Sequence, residues 1–526
     1  MKVSAGSMDS FQQRRSPLAK RLWRIGWPLL PIGAAASLLV SPNLGNPDSA
    51  AMVHSLGVVL PHWPPLYPSF LTTINSLTGF VLWLLGDTAP GFSAAALKFI
   101  LLIQHGLAIA AAAYAASQFR LSLIGSRCVA AILYLNPFTL SCIHSLLTEA
   151  PMVIFLLLAL GSAVPILLYR DWALNRVVWF FVWIALATLS RYAAIAFGLL
   201  LPMGLAWQAI RESLSGRRRL ARTTLQRMTI AFIGVVCAQL AFSLIADVIM
   251  LSHNVEPRSK LGRDFVYRLG EGSRSAWPAG VFMTRDEHDE LIRRLKSSTT
   301  DEVLLRTIDI VATNPENSWV PAFNRVQYEV GASGSCGKRN NKSGCAWAEA
   351  DRRLNQVARL ALLSFDPVLM RDGVLRTGEV LAPFFVAPPI DPDPRWVSWN
   401  RLSTPWDLAG QPRKRFDGPA MVKHFRWQLG TDFSFIINLA QQLRGIMVLA
   451  AIGLLAILLP FARHAIPLCL GLLSAIVAYA AIISFVTVYV PRYGLPVDLL
   501  ALFAILAAVI GVFETRRNVS PIATVI

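Results

Sequence analysis

The sequence predicts an all-α polytopic membrane protein: a bundle of roughly ten transmembrane helices carrying one mostly helical insert outside the membrane. Three observations lead there. Of the 526 residues, 54% are hydrophobic and only 15% charged, whereas soluble globular domains carry about a quarter charged. Apolar runs near the ~20 residues needed to cross a ~30 Å hydrocarbon core recur along the chain. Basic residues gather in the short connections between these runs, the pattern of cytoplasmic loops. The formal net charge of +18 therefore reads as membrane topology and attraction to anionic lipid, and no nucleic-acid partner is expected.

Residues 1–23 form a cytoplasmic basic tail, with Arg14, Arg15, Lys20 and Arg21 just ahead of the first apolar run. That run, about 24–40, ends in small residues as a signal peptide does, or it is an uncleaved anchor. Residues 41–92 make the first outer loop. Prolines 61, 64, 65 and 68 remove backbone donors and bias their neighbours toward extended structure. Irregular backbone beside a membrane needs protein or water around it, so the stretch Asn46 to Phe70 is a candidate wall of an aqueous cavity. The segment 69–86 is apolar but broken by Thr, Asn, Ser and Gly. As a crossing it would place Arg120 and Arg127 outside, so it is read as lying on or dipping into the outer interface.

Spans are then expected at about 93–117, 128–147, 150–169, 176–190, 192–209 and 229–251, completing a membrane module over 24–251. The two short ones between 176 and 209 read as a hairpin around Ser190-Arg191-Tyr192. Loops 118–127, 170–176 and 210–228 are basic and cytoplasmic. Residues 252–433 form an extracytoplasmic insert, in which HDELIRRLKSSTTDEVLLRTIDIVA and WAEADRRLNQVARLALLSFDP have the three-and-four spacing of amphipathic helices. The stretch 383–420, rich in proline and aromatics, is expected to be irregular. C-terminal transmembrane helices occupy 434–513, with spans at about 435–461, 465–487 and 494–513, and 514–526 is a cytoplasmic tail. Cys128, Cys142, Cys237 and Cys469 lie in apolar runs and are expected to be small core residues. Cys336 and Cys345 flank a polar loop, either as a disulfide, which needs an oxidising compartment, or as two thiols.

One stretch points further. An acid shortly after the first span (Asp48) followed by H-x-P-P-L-Y-P (His62, Pro64, Pro65, Leu66, Tyr67, Pro68) resembles the first outer loop of GT-C membrane glycosyltransferases. This superfamily includes protein mannosyltransferases and bacterial enzymes that decorate lipid A and lipopolysaccharide core. Glu149 in LLTEAPMVIF, Arg191 in ATLSRYAAIA, and Arg492, Tyr493 and Pro496 in VPRYGLP follow in the order the family has them. The resemblance covers roughly 40–210 and 480–510 and leaves the insert unmatched. It implies a retained first span, a GT-C-like bundle, Asp48 as catalytic base, a polyprenyl-phosphate-linked sugar as donor, and a lipid, glycan or protein as acceptor. It also implies a bacterial inner membrane, with the active site on the periplasmic face.

The residue chemistry suits that reaction. A carboxylate at the membrane boundary can take the acceptor's proton, and an arginine fork can hold the departing phosphate. Each candidate has a plainer role beside it. Asp48 also fits a helix N-cap, Glu149 an interfacial cap, and Arg492 and Arg191 snorkelling toward head groups. His62 also reads as a packed surface residue and Tyr67 as an interfacial anchor. Asp48, Glu149 and His62 are ligand types for a divalent metal ion, and their spacing leaves metal dependence open. Walker A, G-x-G-x-x-G, H-E-x-x-H and G-x-S-x-G motifs are missing, so nucleotide-driven chemistry is unsupported. A transporter or flippase of a lipid-linked substrate and a non-catalytic envelope assembly protein are the competing classes.

Overall fold

A computed structural model describes residues 16–40, 65–84, 94–252, 261–270, 283–314, 319–331, 342–382, 436, 439–440, 442–458, 461–486 and 491–519. Among the described residues the secondary structure is helical, with no strand. The chain begins with α1 (Ser16–Gly26), a 3-10 turn over Trp27–Leu29 and α2 (Leu30–Leu39). Prolines fall only in first turns there, where a missing N–H costs nothing. Next comes α3 (Leu66–Leu84), which starts inside the proline run and lies against α4 (Ala94–Gln118).

Among the described residues, seven stretches are long and apolar enough to cross a membrane: Leu18–Leu39, Leu97–Gln118, Glu149–Leu167, Tyr192–Leu214, Arg218–Ser252, Ile466–Val486 and Leu495–Glu514. The protein is thus a helical polytopic membrane protein. The other three expected spans correspond to a bent pair and to two shorter apolar helices. The bent pair, α5 (Leu123–Leu135) and α6 (Pro137–Ile143), corrects the single helix expected over 128–147 and turns by 58°. Pro137 excludes helical geometry at Asn136, whose backbone is extended and whose side chain instead caps α6 by accepting from the Thr139 amide.

The centre of the bundle is α7 (Glu149–Leu167), in which Met152, Leu156, Leu157, Leu160 and Val164 are buried. Around it pack α4, α8 (Leu174–Ser190), α9 (Leu200–Leu214) and α18 (Ile466–Val486), with the 3-10 segment Tyr192–Leu199 set between α8 and α18. The hairpin expected around Ser190-Arg191-Tyr192 is present, with Arg191 extended between the two helices. At the periphery, α10 (Arg218–Ser252) runs 35 residues, about 52 Å, with little of its apolar surface covered. The same core is continued by α19 (Leu495–Val519), which packs on α18 and on α17 (Ile446–Leu458).

Two glycines set a close backbone contact between α9 and α18. A Cβ on Gly471 of α18 would lie 2.6 Å from the Leu200 carbonyl, and one on Gly204 of α9 would lie 2.8 Å from the Pro467 carbonyl. Backbone cannot retreat as a side chain can, so the pair uses the close approach that small residues permit. Gly471→Val is expected to cost roughly 1–3 kcal/mol, read as a lower melting temperature and a loss of monodisperse protein on detergent size-exclusion chromatography. An unchanged melt would show that α9 and α18 are free to separate.

The basic loops meet at one end of the bundle. The Tyr169 hydroxyl donates to Glu514 at 2.6 Å, with the Arg120 guanidinium 4.3 Å above the Tyr169 ring. Arg170 pairs with Glu212 at 3.5 Å, and Glu212 also accepts from Thr224 at 2.7 Å. Arg127 donates to the Arg24 carbonyl. Tyr169 follows the C-terminus of α7, while Glu149 opens it, so Glu149 sits at the opposite end. The insert is at that end too.

The described part of the insert is helical, as its spacing predicts: α11 (Leu261–Leu269), α12 (Arg285–Ser297), α13 (Glu302–Ala312), α14 (Trp319–Val326), α15 (Lys342–Leu363) and α16 (Pro367–Leu381). Thr284 and Glu287 cap α12 reciprocally, Asp301 caps α13, and Asp366 caps α16 ahead of Pro367. Phe265, Leu291, Ile308, Phe323 and Leu354 form its own core, crossed by an Arg263–Asp351 pair at 3.0 Å. Residues 383–420 lie outside the described residues, as do Cys336 and the side chain of Cys345. Cys142 and Cys469 are buried as expected, but Cys128 and Cys237 face outward, because each sits on the lipid side of its helix.

Candidate functional site

Four of the sequence-predicted residues, Tyr67, Glu149, Arg191 and Tyr493, are brought together at the insert end. Glu149 enters through the turn after α6, where Thr148 sits at the N-cap of α7 and donates its hydroxyl to Glu149 Oε2 at 3.1 Å. Arg191 enters through the break between α8 and the Tyr192–Leu199 segment, and its Nη1 donates to Glu149 Oε1 at 2.5 Å. Glu149 is 2% exposed and Arg191 13%, so the pair is withdrawn from solvent. The 3-10 turn Pro491–Gly494 delivers Tyr493, whose ring centroid lies 3.8 Å from the Arg191 guanidinium carbon. That distance is a cation–π contact, which strengthens when desolvated.

Tyr67, in the first turn of α3, is buried and donates to Gln104 Oε1 at 2.8 Å. Burial first, and then the nearby charge of Glu149, push its phenol well above the ordinary value, so it stays a neutral donor. Gln104 in turn donates to the carbonyls of Ile143 (2.6 Å) and Ser145 (3.2 Å). These carbonyls belong to the turn that presents Glu149. The proline motif and the acid, 82 positions apart by numbering, are thus joined through one amide side chain.

Sequence reasoning missed the residues supporting this cluster. Gln104, His105, His144 and Tyr134 are buried, with His105 Nδ1 2.7 Å from the Tyr134 hydroxyl and His105 Nε2 3.0 Å from His144 Nδ1. Tyr479 of α18 lies within electrostatic range of Arg191 and Glu149 and stacks on Phe197 at 4.4 Å. The signal was available: polar and ionisable side chains inside an apolar span are costly and mark functional positions, and Gln104-His105 interrupts the apolar run of α4 between Lys98 and Ser117.

Two donors in the cluster are unfilled. Neither Arg191 Nε nor the Tyr479 hydroxyl has a hydrogen-bond partner among the described residues, although both are buried. No family model, curated protein or solved structure matches the chain. The functional reading therefore rests on the residues themselves.

Asp48 and His62 lie outside the described residues, as does the side chain of Arg492, whose backbone is part of the Pro491–Gly494 turn. As a metal ligand Glu149 does not fit: one oxygen is held by a guanidinium and the other accepts from Thr148, and the adjacent positive charge opposes a cation. Among the described residues no three imidazole, thiol or carboxylate groups converge. The cluster is suited to an anion, since a fixed guanidinium, a neutral phenol and unfilled donors favour negatively charged oxygen.

Proposed function

We propose that the chain is a GT-C-type membrane glycosyltransferase that moves a sugar from a polyprenyl-phosphate carrier to a lipid, glycan or protein acceptor outside the cytoplasm. The observation that carries this reading is the unfilled Arg191 Nε and Tyr479 hydroxyl beside the Glu149–Arg191–Tyr493 cluster. A buried donor without an acceptor is costly, and a phosphate oxygen would supply one. In the reaction, the acceptor oxygen bonds to the anomeric carbon as the bond from that carbon to the carrier phosphate breaks. The acceptor proton goes to Asp48, and the carrier leaves as an anion whose charge Arg191 and Arg492 offset. Glu149 holds the guanidinium in place. The clustering of the basic loops at one end favours ten crossings, with α5 and α6, α8 and α17 as the three additional ones. The insert end then faces the periplasm of a bacterial inner membrane.

The test compares envelope glycolipids and glycoproteins by mass spectrometry in cells with the chain, without it, and with Asp48→Asn. One glycan modification is expected to vanish without the chain and to fall by ~10²-fold or more with Asp48→Asn, at equal protein level. A glycan profile indifferent to both changes would end the proposal. Movement of a lipid-linked substrate without a new glycosidic bond would favour the flippase class instead.

A further inference from the structure

The insert is joined to the membrane helices by a row of buried charges that the proposed transfer does not use. Arg268 of α11 donates to the Phe485 carbonyl at the end of α18 (2.5 Å), to the Leu369 carbonyl (3.2 Å) and to Asp372 Oδ2 (2.6 Å). Asp372 also accepts from Arg376, one turn on, at 3.0 and 3.1 Å. Arg376 faces Glu379, and Glu379 faces Arg444, which precedes α17. Arg444 donates to the Val380 carbonyl at 3.0 Å and lies 3.8 Å from Asp498, which accepts from the Gly445 amide at 3.0 Å. All six side chains are buried. The seam is tight on both flanks: a Cβ on Gly373 would lie 2.4 Å from the Phe485 ring, and one on Gly494 would lie 2.4 Å from the Arg444 guanidinium.

The compensation along the row is uneven. Asp372 is held by two guanidiniums, whereas Arg444 is one guanidinium between two carboxyl groups, Glu379 and Asp498. Glu379 Oε2 has no hydrogen-bond partner among the described residues. The charged groups facing Glu379 are Arg376 and Asp372 on its own helix and Arg444 from the opposite side. The helix α18, packed along α16, brings no charged side chain. The Pro491–Gly494 turn, also packed on α16, brings Tyr493, and Arg492 with its side chain outside the described residues.

We propose that Glu379 is a proton-operated latch, whose protonation tightens the insert on the membrane helices and whose ionisation loosens it. This does not rest on the transferase reading. Burial raises the Glu379 carboxyl to about 7, against the opposing pull of Arg376 and Arg444. The sign follows: a carboxyl raised in the docked state binds its proton more tightly there, so docking is strongest in acid and weakens as pH rises toward and through 7. From an ordinary value of 4.5 to about 7, linkage makes the docking equilibrium on the order of 30-fold weaker at pH 8.5 than at pH 5.5.

The experiment is hydrogen exchange by mass spectrometry on the full chain in zwitterionic-lipid nanodiscs at both pH values, corrected for intrinsic exchange. Peptides from α11 and α16 are expected to lose ~30-fold in protection at the higher pH, while the insert core around Leu291 and Ile308 does not change. Asp498→Asn, which neutralises the other carboxyl facing Arg444, is expected to keep the pH dependence, and Glu379→Gln in that background, a fixed neutral form, is expected to hold the acid level of protection at both. His288→Gln, which removes the bond from His288 to the Leu269 carbonyl beside Arg268, is expected to retain the pH dependence. Equal seam protection of the unmodified chain at both pH values overturns the proposal without any variant. So does a pH dependence that survives Glu379→Gln in the Asp498→Asn background, or one that is lost in Asp498→Asn alone or in His288→Gln.

Discussion

Arg191→Met is expected to lower the stability of the bundle by about 3–5 kcal/mol and, on the proposed transferase function, to slow sugar transfer by roughly 10²–10³-fold. The variant leaves Glu149 buried with its charge unopposed, and an isolated buried carboxylate is among the most expensive groups in a protein. Adding Glu149→Gln removes that charge. The double variant is therefore expected to regain most of the lost stability, because a buried pair replaced on both sides is nearly neutral even where breaking one side is severe. Transfer should not return, since the guanidinium proposed to hold the phosphate is still missing, at a cost of roughly 10²–10³-fold in rate. Thermal melting and a transfer assay on the three variants check this together. Recovery of both properties in the double variant would make the pair a structural clamp and remove Arg191 from the reaction.

Asp372→Asn is expected to release the insert. The aspartate is the shared partner of Arg268 and Arg376, and the amide leaves the buried Arg268 without a carboxylate and Arg376 with Glu379 alone, costing about 3–5 kcal/mol. The loss should localise. Rapid proteolysis of α11 and α16 is expected, with the insert core and the membrane helices keeping their protection. Although burial alone would raise the Asp372 carboxyl, Arg376 and Arg268 hold it below the ordinary carboxylate range. Its contribution is therefore present above that range and lost only in acid, as the pH falls through the depressed value, opposite in sign to Glu379. Wild-type resistance to proteolysis in Asp372→Asn would show that the apolar contact of Gly373 with Phe485 is enough to dock the insert.

Much of the site was legible because its residues break local rules. Arg191 is a charge between two apolar runs, Glu149 opens another, and Tyr67 sits in a run of prolines; each is conspicuous where it stands. Gln104, His105 and Tyr479 were less so, being polar positions in long apolar helices; Gln104 and His105 take their roles from neighbours 29 to 41 residues away, and Tyr479 from Phe197, further still. The seam was not legible at all. Arg268, Asp372, Arg376 and Glu379 lie on amphipathic insert helices, where charges ordinarily read as a solvated face. Only packing against α18 and the Arg444 turn buries them.

The amino-acid order alone determined the helical membrane class, the positions of the apolar segments, the gathering of basic loops and the helical character of the insert. These follow from composition and from periodicities that act over a few residues, through helix geometry and the thickness of the bilayer. Tertiary structure decided which charges meet: that Glu149 faces Arg191 over Tyr493, and that the insert is fastened by six buried ionisable groups. Electrostatic partners are chosen by distance in space, and a buried charge must find its counterpart wherever the fold places one.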